Sequence, residues 1–293
     1  MSPVLLLDLP SLYYRAFYAL PTSISDSRGK PINAIRGSLT TIAQLVDKYK
    51  PRRIIAAIDE SWRPNWRVEL LSEYKSHRLA ADKKNELAPE ELLGQIPDLI
   101  HVLKLLQIAV VGIQDFEADD CLASLSNLEE NSIIVTSDRD LLQLINKKNQ
   151  TALYLLSDKS QPLWDYERFK EVYGFEPEQY LDYAVLRGDP SDGLKGVSKV
   201  GEKTAAKFIK EFQTIENLIN NLSTDPRKKL SVAEENIISS VSYIQKARQV
   251  TSLNKNLKLK ILVEHMELEK LNKFAAEKNI TKQVNELLRL IHD

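Results

Sequence analysis

An α/β fold with a mostly parallel central sheet flanked by helices is predicted, on three observations. Short apolar runs alternate with segments of helical period through the first half of the chain. The runs are apolar at consecutive positions, the pattern of strands buried on both faces. Acids follow the runs, and open parallel sheets bind ligands beyond their carboxyl strand ends.

The runs are residues 4–7, 54–58, 108–111, 133–135 and 152–156. Between them residues 34–49, 90–106, 119–128 and 138–145 read as helices, giving the strand–helix alternation of a parallel sheet. The strands stop near residue 165. Residues 181–187, 202–212, 215–221 and 233–250 then read as helices, with glycine and proline gathered between 188 and 201. Residues 222–232 read as a solvated loop, and residues 284–291 as a last helix whose apolar stripe packs on the body. Two regions are therefore expected, an α/β core over 1–165 and a helical region over 166–293.

Composition excludes several classes. No apolar run approaches the roughly 20 residues of a membrane span, so no membrane partner is expected. The first residues lack a signal-peptide core. One cysteine, Cys121, excludes an internal disulfide and fits a reducing, cytoplasmic setting; four histidines leave no zinc constellation. Cys121 reads as a small apolar core residue, and His77 and His101 as non-catalytic. The net charge of −1 looks unsuited to nucleic acid. If nine of the 41 acids share one site, however, 32 remain against 40 basic residues, an excess of +8.

Those nine acids carry the argument. Asp8 follows the first run, Asp59 the second, and Glu117, Asp119 and Asp120 the third. Asp138 and Asp140 follow the fourth, while Asp189 and Asp192 follow the helix ending near Arg187. Any one of them alone reads as a helix N-cap. Together, at converging strand ends, they would repel one another unless cations neutralised them. An all-oxygen donor set selects hard ions such as Mg²⁺ or Mn²⁺. Two such ions roughly 4 Å apart serve in-line phosphodiester cleavage, activating a water and stabilising the leaving oxygen.

Two further segments point to nucleic acid. Residues 61–89 interleave Arg63, Arg67, Lys75, His77, Arg78, Lys83 and Lys84 with Trp62, Trp66 and Tyr74. Such a mixture suits single strands through phosphate pairing and base stacking, and equally describes a solvated surface helix. Residues 196–206 read as a glycine-punctuated hairpin entering a helix, with Lys199, Lys203 and Lys207 beside the exposed N–H groups of its first turn. Tyr13, Tyr14 and Phe17 sit at helical spacing and read mainly as core, while Arg15 is open to DNA contact or capping.

Over residues 3–260 the chain resembles bacterial 5′–3′ exonucleases and flap endonucleases, including the nuclease domain of DNA polymerase I. The matching elements are Leu5-Leu6-Leu7-Asp8, Tyr14-Arg15-Ala16-Phe17, Trp66-Arg67, Tyr74-Lys75 with Arg78, Glu117-Ala118-Asp119-Asp120, Asp138-Arg139-Asp140-Leu141, Gly188-Asp189-Pro190-Ser191-Asp192 and Gly201-Glu202-Lys203-Thr204-Ala205. Leu9, Gly193, Lys195 and Lys199 depart from that pattern. The resemblance implies a stand-alone, monomeric enzyme of the PIN-like 5′-nuclease fold. It would cut DNA at 5′ flaps, nicks and free 5′ ends in replication and repair. Asp8, Asp59, Glu117 and Asp119, with Asp120 close by, would hold one divalent cation. Asp138, Asp140, Asp189 and Asp192 would hold the other, with Asp119 between. Residues 61–89 would form a helical arch over the 5′ strand, with Lys75 and Arg78 on the scissile phosphate and Arg67 and Tyr74 on DNA, as would Arg15. Lys199, Gly201, Lys203 and Thr204 would belong to a helix–three-turn–helix gripping duplex, with a K⁺ ion. A ribonuclease of the same fold, or a DNA binder with weakened chemistry, are the alternatives.

Overall fold

A computed structural model describes every residue except 1, 84, 225–228 and 293. Lys84 of the basic segment and part of the loop expected over 222–232 thus lie outside the described residues. The five apolar runs form β1 (Val4–Asp8), β2 (Arg53–Ala57), β3 (Ala109–Val111), β4 (Ser132–Thr136) and β5 (Thr151–Leu155). All five run parallel, with Leu6 opposite Ile55 on one side and Ile134 on the other. A sixth strand, β6 (Leu163–Trp164), pairs antiparallel to β5 and was not expected. β1 and β4 are buried at every position, which is why their sequences do not alternate.

Strand order is β3-β2-β1-β4-β5-β6. From β1 the chain winds outward to β3, then returns to the other side of β1 as β4. The crevice at the carboxyl ends of β1 and β4 is therefore the switch point, where ligands of open sheets bind.

In the first half the helices are α1 (Leu9–Ala19), α2 (Asn33–Tyr49), α3 (Asn65–Leu70), α4 (Glu90–Leu93), α5 (Ile96–Leu105) and α6 (Ala118–Leu128). The single helix expected over 90–106 is broken between α4 and α5. Gln95, at the break, turns its amide inward and accepts from the Ala34 N–H at 2.8 Å, capping α2. Residues 138–145 form a 3₁₀ turn, Asp140–Leu144, rather than an α-helix. α1 was not among the expected helices, although Leu9, Leu12, Tyr13, Ala16 and Phe17 are buried along one face. Segment 61–89 is mostly loop: α3, a 3₁₀ turn at Ser76–Arg78, and a bridge between Leu79 and Glu86.

The second half contains α7 (Tyr166–Tyr173), α8 (Tyr180–Arg187), α9 (Glu202–Phe212), α10 (Ile215–Thr224), α11 (Val232–Ser239), α12 (Val241–Thr251), α13 (Leu268–Glu277) and α14 (Thr281–His292). The helix expected over 233–250 is interrupted at Ser240. One apolar core joins Leu6, Ile55 and Ile134 to α6, α8, α9 and α12. The other joins Leu5, Leu7 and Ile54 to α1, α2, α5, α13 and α14. The last two helices thus cross to the far face of the sheet, where Val284 and Leu287 are buried and Lys278 pairs with Asp98. A division at residue 165 separates Leu268–His292 from the body they pack on.

Candidate functional site

An open cleft of about 910 Å³ lies at the switch point. Asp8, Asp59, Asp119, Asp138 and Asp189 line it, with Lys75, Arg78 and Arg15. Acids separated by more than 180 positions along the chain thus share one concavity, because β1, β2 and β4 end there and α6 begins there.

Each wall group is aimed by its local backbone. Asp8 caps α1: it accepts from the Ser11 N–H at 3.3 Å, from the Ser11 hydroxyl at 2.5 Å and from the Thr136 hydroxyl at 2.7 Å. Asp59 accepts from the Ala118 N–H at 2.7 Å, tying the end of β2 to the start of α6. Asp138 accepts from the Asp140 N–H at 2.7 Å. Asp189 accepts from the N–H and hydroxyl of Ser191, at 2.7 and 2.6 Å. That turn depends on a backbone crossing: Gly188 and Gly196 both have positive φ, and a Cβ on Gly188 would lie 2.5 Å from the Gly196 nitrogen. Gly193 lets the turn seat against segment 61–89, since its Cβ would meet the Glu73 carbonyl at 2.5 Å.

The electrostatics are frustrated. Burial, then the charge of Glu117, pushes Asp59 up to about 7. Burial and then Asp192 push Asp138 up to about 7. Asp119 is held well above the carboxylate range by burial, then by Asp138 and Asp8. Asp140 is likewise well above, by burial and then Asp138, Asp189 and Asp192. Burial also raises Asp8, against the hydrogen bonds from Ser11 and Thr136, and raises Asp192 against Lys75. Burial would lower the Lys75 ammonium, yet Glu117 and its neighbours hold it well above the ordinary value.

Four expected acids are not free in the cleft. The Glu117 carboxylate, 2 % exposed, receives Arg67 at 2.5 Å, the Tyr74 hydroxyl at 2.8 Å and the Lys75 ammonium at 2.8 Å. Asp120 is fully buried behind the wall, accepting from Arg67 at 3.0 Å and from the Asn254 N–H at 3.0 Å. Asp192 accepts from Arg78 at 3.1 Å. Asp140 stands beside Arg187, with its Oδ1 buried and without a hydrogen-bond partner. Among the described residues no three carboxylate, histidine or cysteine side chains are grouped closely enough to hold an ion unaided.

Two of the residues expected at DNA lie inside the protein. Arg67 is 1 % exposed and Tyr74 3 %, so neither faces solvent; both support Glu117. Arg63 and Trp66 are also spent internally, donating to the carbonyls of Tyr74 and Ser72 and of Asp115. Arg15 is exposed at the cleft rim. Lys199, Gly201 and Lys203 are exposed and Thr204 half-buried on the hairpin leading into α9. Gly201 and Glu202 reach the same cleft. Lys199 occupies a left-handed conformation at φ 64°, a position glycine would adopt without strain. Ser11, Thr136 and Arg187 were missed, since single polar residues beside a motif carry no periodic signal.

Residues 3–174 match the 5′-3′ exonuclease N-terminal resolvase-like domain, and residues 175–274 match the 5′-3′ exonuclease C-terminal SAM fold. The chain belongs to the 5′–3′ exonuclease family. A 5′-3′ exonuclease of Streptomyces coelicolor is 41% identical over 234 residues, 78% of this chain and 77% of that protein. DNA polymerase I of Mycobacterium bovis is 38% identical over 262 residues, 87% of this chain but 28% of the polymerase. The exonuclease fold extends to the bacteriophage T5 D15 flap endonuclease, solved as a pseudo-enzyme–product complex with DNA and metal ions. Its TM-score is 0.66 at 17% identity, covering 99% of this chain and 100% of that one. No helix among the described residues is long and apolar enough to cross a membrane.

Proposed function

We propose that this member of the exonuclease family hydrolyses DNA phosphodiester bonds from the 5′ side, at free 5′ ends, nicks and 5′ flaps, as a monomer serving replication and repair. The convergence of Asp8, Asp59, Asp119, Asp138 and Asp189 on one cleft carries the proposal. Buried carboxylates driven toward protonation, with an orphaned Asp140 oxygen, fit hard divalent cations, Mg²⁺ or Mn²⁺. Asp8, Asp59 and Asp119 would hold one, with Glu117 behind them; Asp138, Asp140, Asp189 and Asp192 would hold the other. When bound, such ions supply an activated water and stabilise the leaving oxygen.

The chain's own groups do the rest. Lys75 and Arg78 meet phosphate oxygens where negative charge develops. Ser11 and Thr136 fix the Asp8 carboxylate, and Ala118 fixes Asp59. Arg15 borders the strand's path, and Lys199, Gly201, Lys203 and Thr204 hold duplex phosphates without reading sequence. A K⁺ ion on that hairpin would share it with the Lys199 charge, and a potassium titration of duplex affinity tests that placement.

The test is cleavage of an end-labelled 5′-flap DNA, with Mg²⁺, with Mn²⁺ or with chelator. Cutting that depends on the ion is expected. Binding without cutting under either ion would favour a weakened DNA binder, and faster cutting of structured RNA would favour a ribonuclease.

A further inference from the structure

Arg187 is a cation already built into the second half of the acid cluster. It ends α8, where the helix dipole favours positive charge. Its Nε donates to the Gly188 carbonyl at 3.0 Å, its Nη1 reaches the Tyr180 hydroxyl at 3.5 Å, and the guanidinium lies 5.4 Å from the Tyr183 ring centroid. Thus anchored, Nη2 stands 3.6 Å from Asp140 Oδ1 and 3.7 Å from Asp189 Oδ2. Those are ion-pair distances rather than hydrogen bonds, and Asp140 Oδ1 is left without a hydrogen-bond partner. Arg187 therefore sets one positive charge beside both carboxylates without donating a hydrogen bond to either. A guanidinium does not lose its charge at any working pH, so this charge is permanent.

We propose that Arg187 is a positioning residue that holds Asp140 and Asp189 in place before any ion arrives and weakens the second divalent site by its own charge. The inference rests on the metal-site reading of those two acids. Its consequence is ordered loading: the half of the cleft containing Asp140 and Asp189 fills last, helped by the negative charge of substrate phosphate. Arg78 does the equivalent for Asp192, but through a hydrogen bond at 3.1 Å that uses a lone pair.

The measurement is Ca²⁺ and Mn²⁺ binding to DNA-free protein by titration calorimetry, on wild type, Arg187→Gln, Arg187→Lys and Arg187→Gln/Asp140→Asn. In Arg187→Gln the weaker of two binding events should tighten by about tenfold or more, as expected when a unit charge a few ångströms away is removed. Arg187→Lys should stay near wild type, and the gain should disappear when Asp140→Asn is added. An unchanged or weakened second event in Arg187→Gln overturns the inference while leaving the metal site standing. Wild type that binds neither ion removes the metal-site reading and this inference with it. If Arg187→Gln is unfolded without ions, Ca²⁺ should restore its fold and raise its melting temperature more than that of wild type. Failure of Ca²⁺ to do so counts against the inference.

Discussion

The first turn of α6 separates two sets of buried acids that the fold treats in opposite ways. Behind it, Glu117 and Asp120 are paired by Arg67, Tyr74, Lys75 and backbone N–H groups. In front, Asp119 joins Asp8, Asp59 and Asp138 on the cleft, where burial, together with the charge of Glu117 on Asp59 and of Asp192 on Asp138, drives these two up to about 7. The motif Glu117-Ala118-Asp119-Asp120 looks like one ligand cluster in sequence, but in space it is half buttress and half wall. Acids completed within the protein serve stability, and acids left incomplete are available for something outside it.

The sharpest way to break this comparison is to alter one member of each set. Asp138→Asn should abolish cutting, leave flap binding largely intact and slightly raise the melting temperature in chelator, because it relieves repulsion. Unchanged turnover would remove Asp138 from the site. Arg67→Met should act the other way, leaving Glu117 and Asp120 short of a buried partner and costing about 3–5 kcal/mol. Urea unfolding checks it; a loss under 1 kcal/mol would mean that the buttress is not one.

Lys75 belongs to both sets, since it pairs with Glu117 and also lines the cleft. Lys75→Ala should lower kcat by roughly 10²–10³, the range for losing a charge stabiliser, with the protein still folded. If melting temperature falls and kcat per folded molecule does not, Lys75 is buttress only. The pH dependence separates the sets again. Asp59 and Asp138 have folded values near 7, above the ordinary carboxylate value. Their contribution to stability is therefore present below about 4 and is lost as pH rises through 7. In chelator, Asp59→Asn should flatten the fall in melting temperature between pH 5.5 and 8, and the stabilisation by Mg²⁺ should grow over the same window. A pH-independent Mg²⁺ effect would contradict the frustrated wall.

Much of this was legible in the sequence. The five parallel strands and the gathering of acids at one sheet edge follow from consecutive apolar positions and from the geometry of parallel sheets. The partition of those acids was not legible, because Arg67 and Asn254, which complete Asp120, are far away in the chain. Nor does a string of basic and aromatic residues say which will be buried: Arg67 and Tyr74 read as DNA contacts and turned out to be internal. The return of α13 and α14 to the opposite face of the sheet depends on contacts with α5 and α2 that no local pattern encodes.

Tyr74→Phe is the smallest change and the finest probe. Its hydroxyl donates to Glu117 at 2.8 Å, one of three donors on that carboxylate. Losing one hydrogen bond to a charged group usually costs about 1.5–3 kcal/mol, but two cations remain on Glu117, so about 1 kcal/mol is expected. The ring keeps its packing against Leu194 and Val250, so no cavity adds to that loss. Flap affinity should stay within about twofold, because a side chain 3 % exposed has no face to offer a base. A tenfold loss of flap affinity with stability unchanged would return Tyr74 to the DNA surface and mean that the arch segment opens when the strand enters.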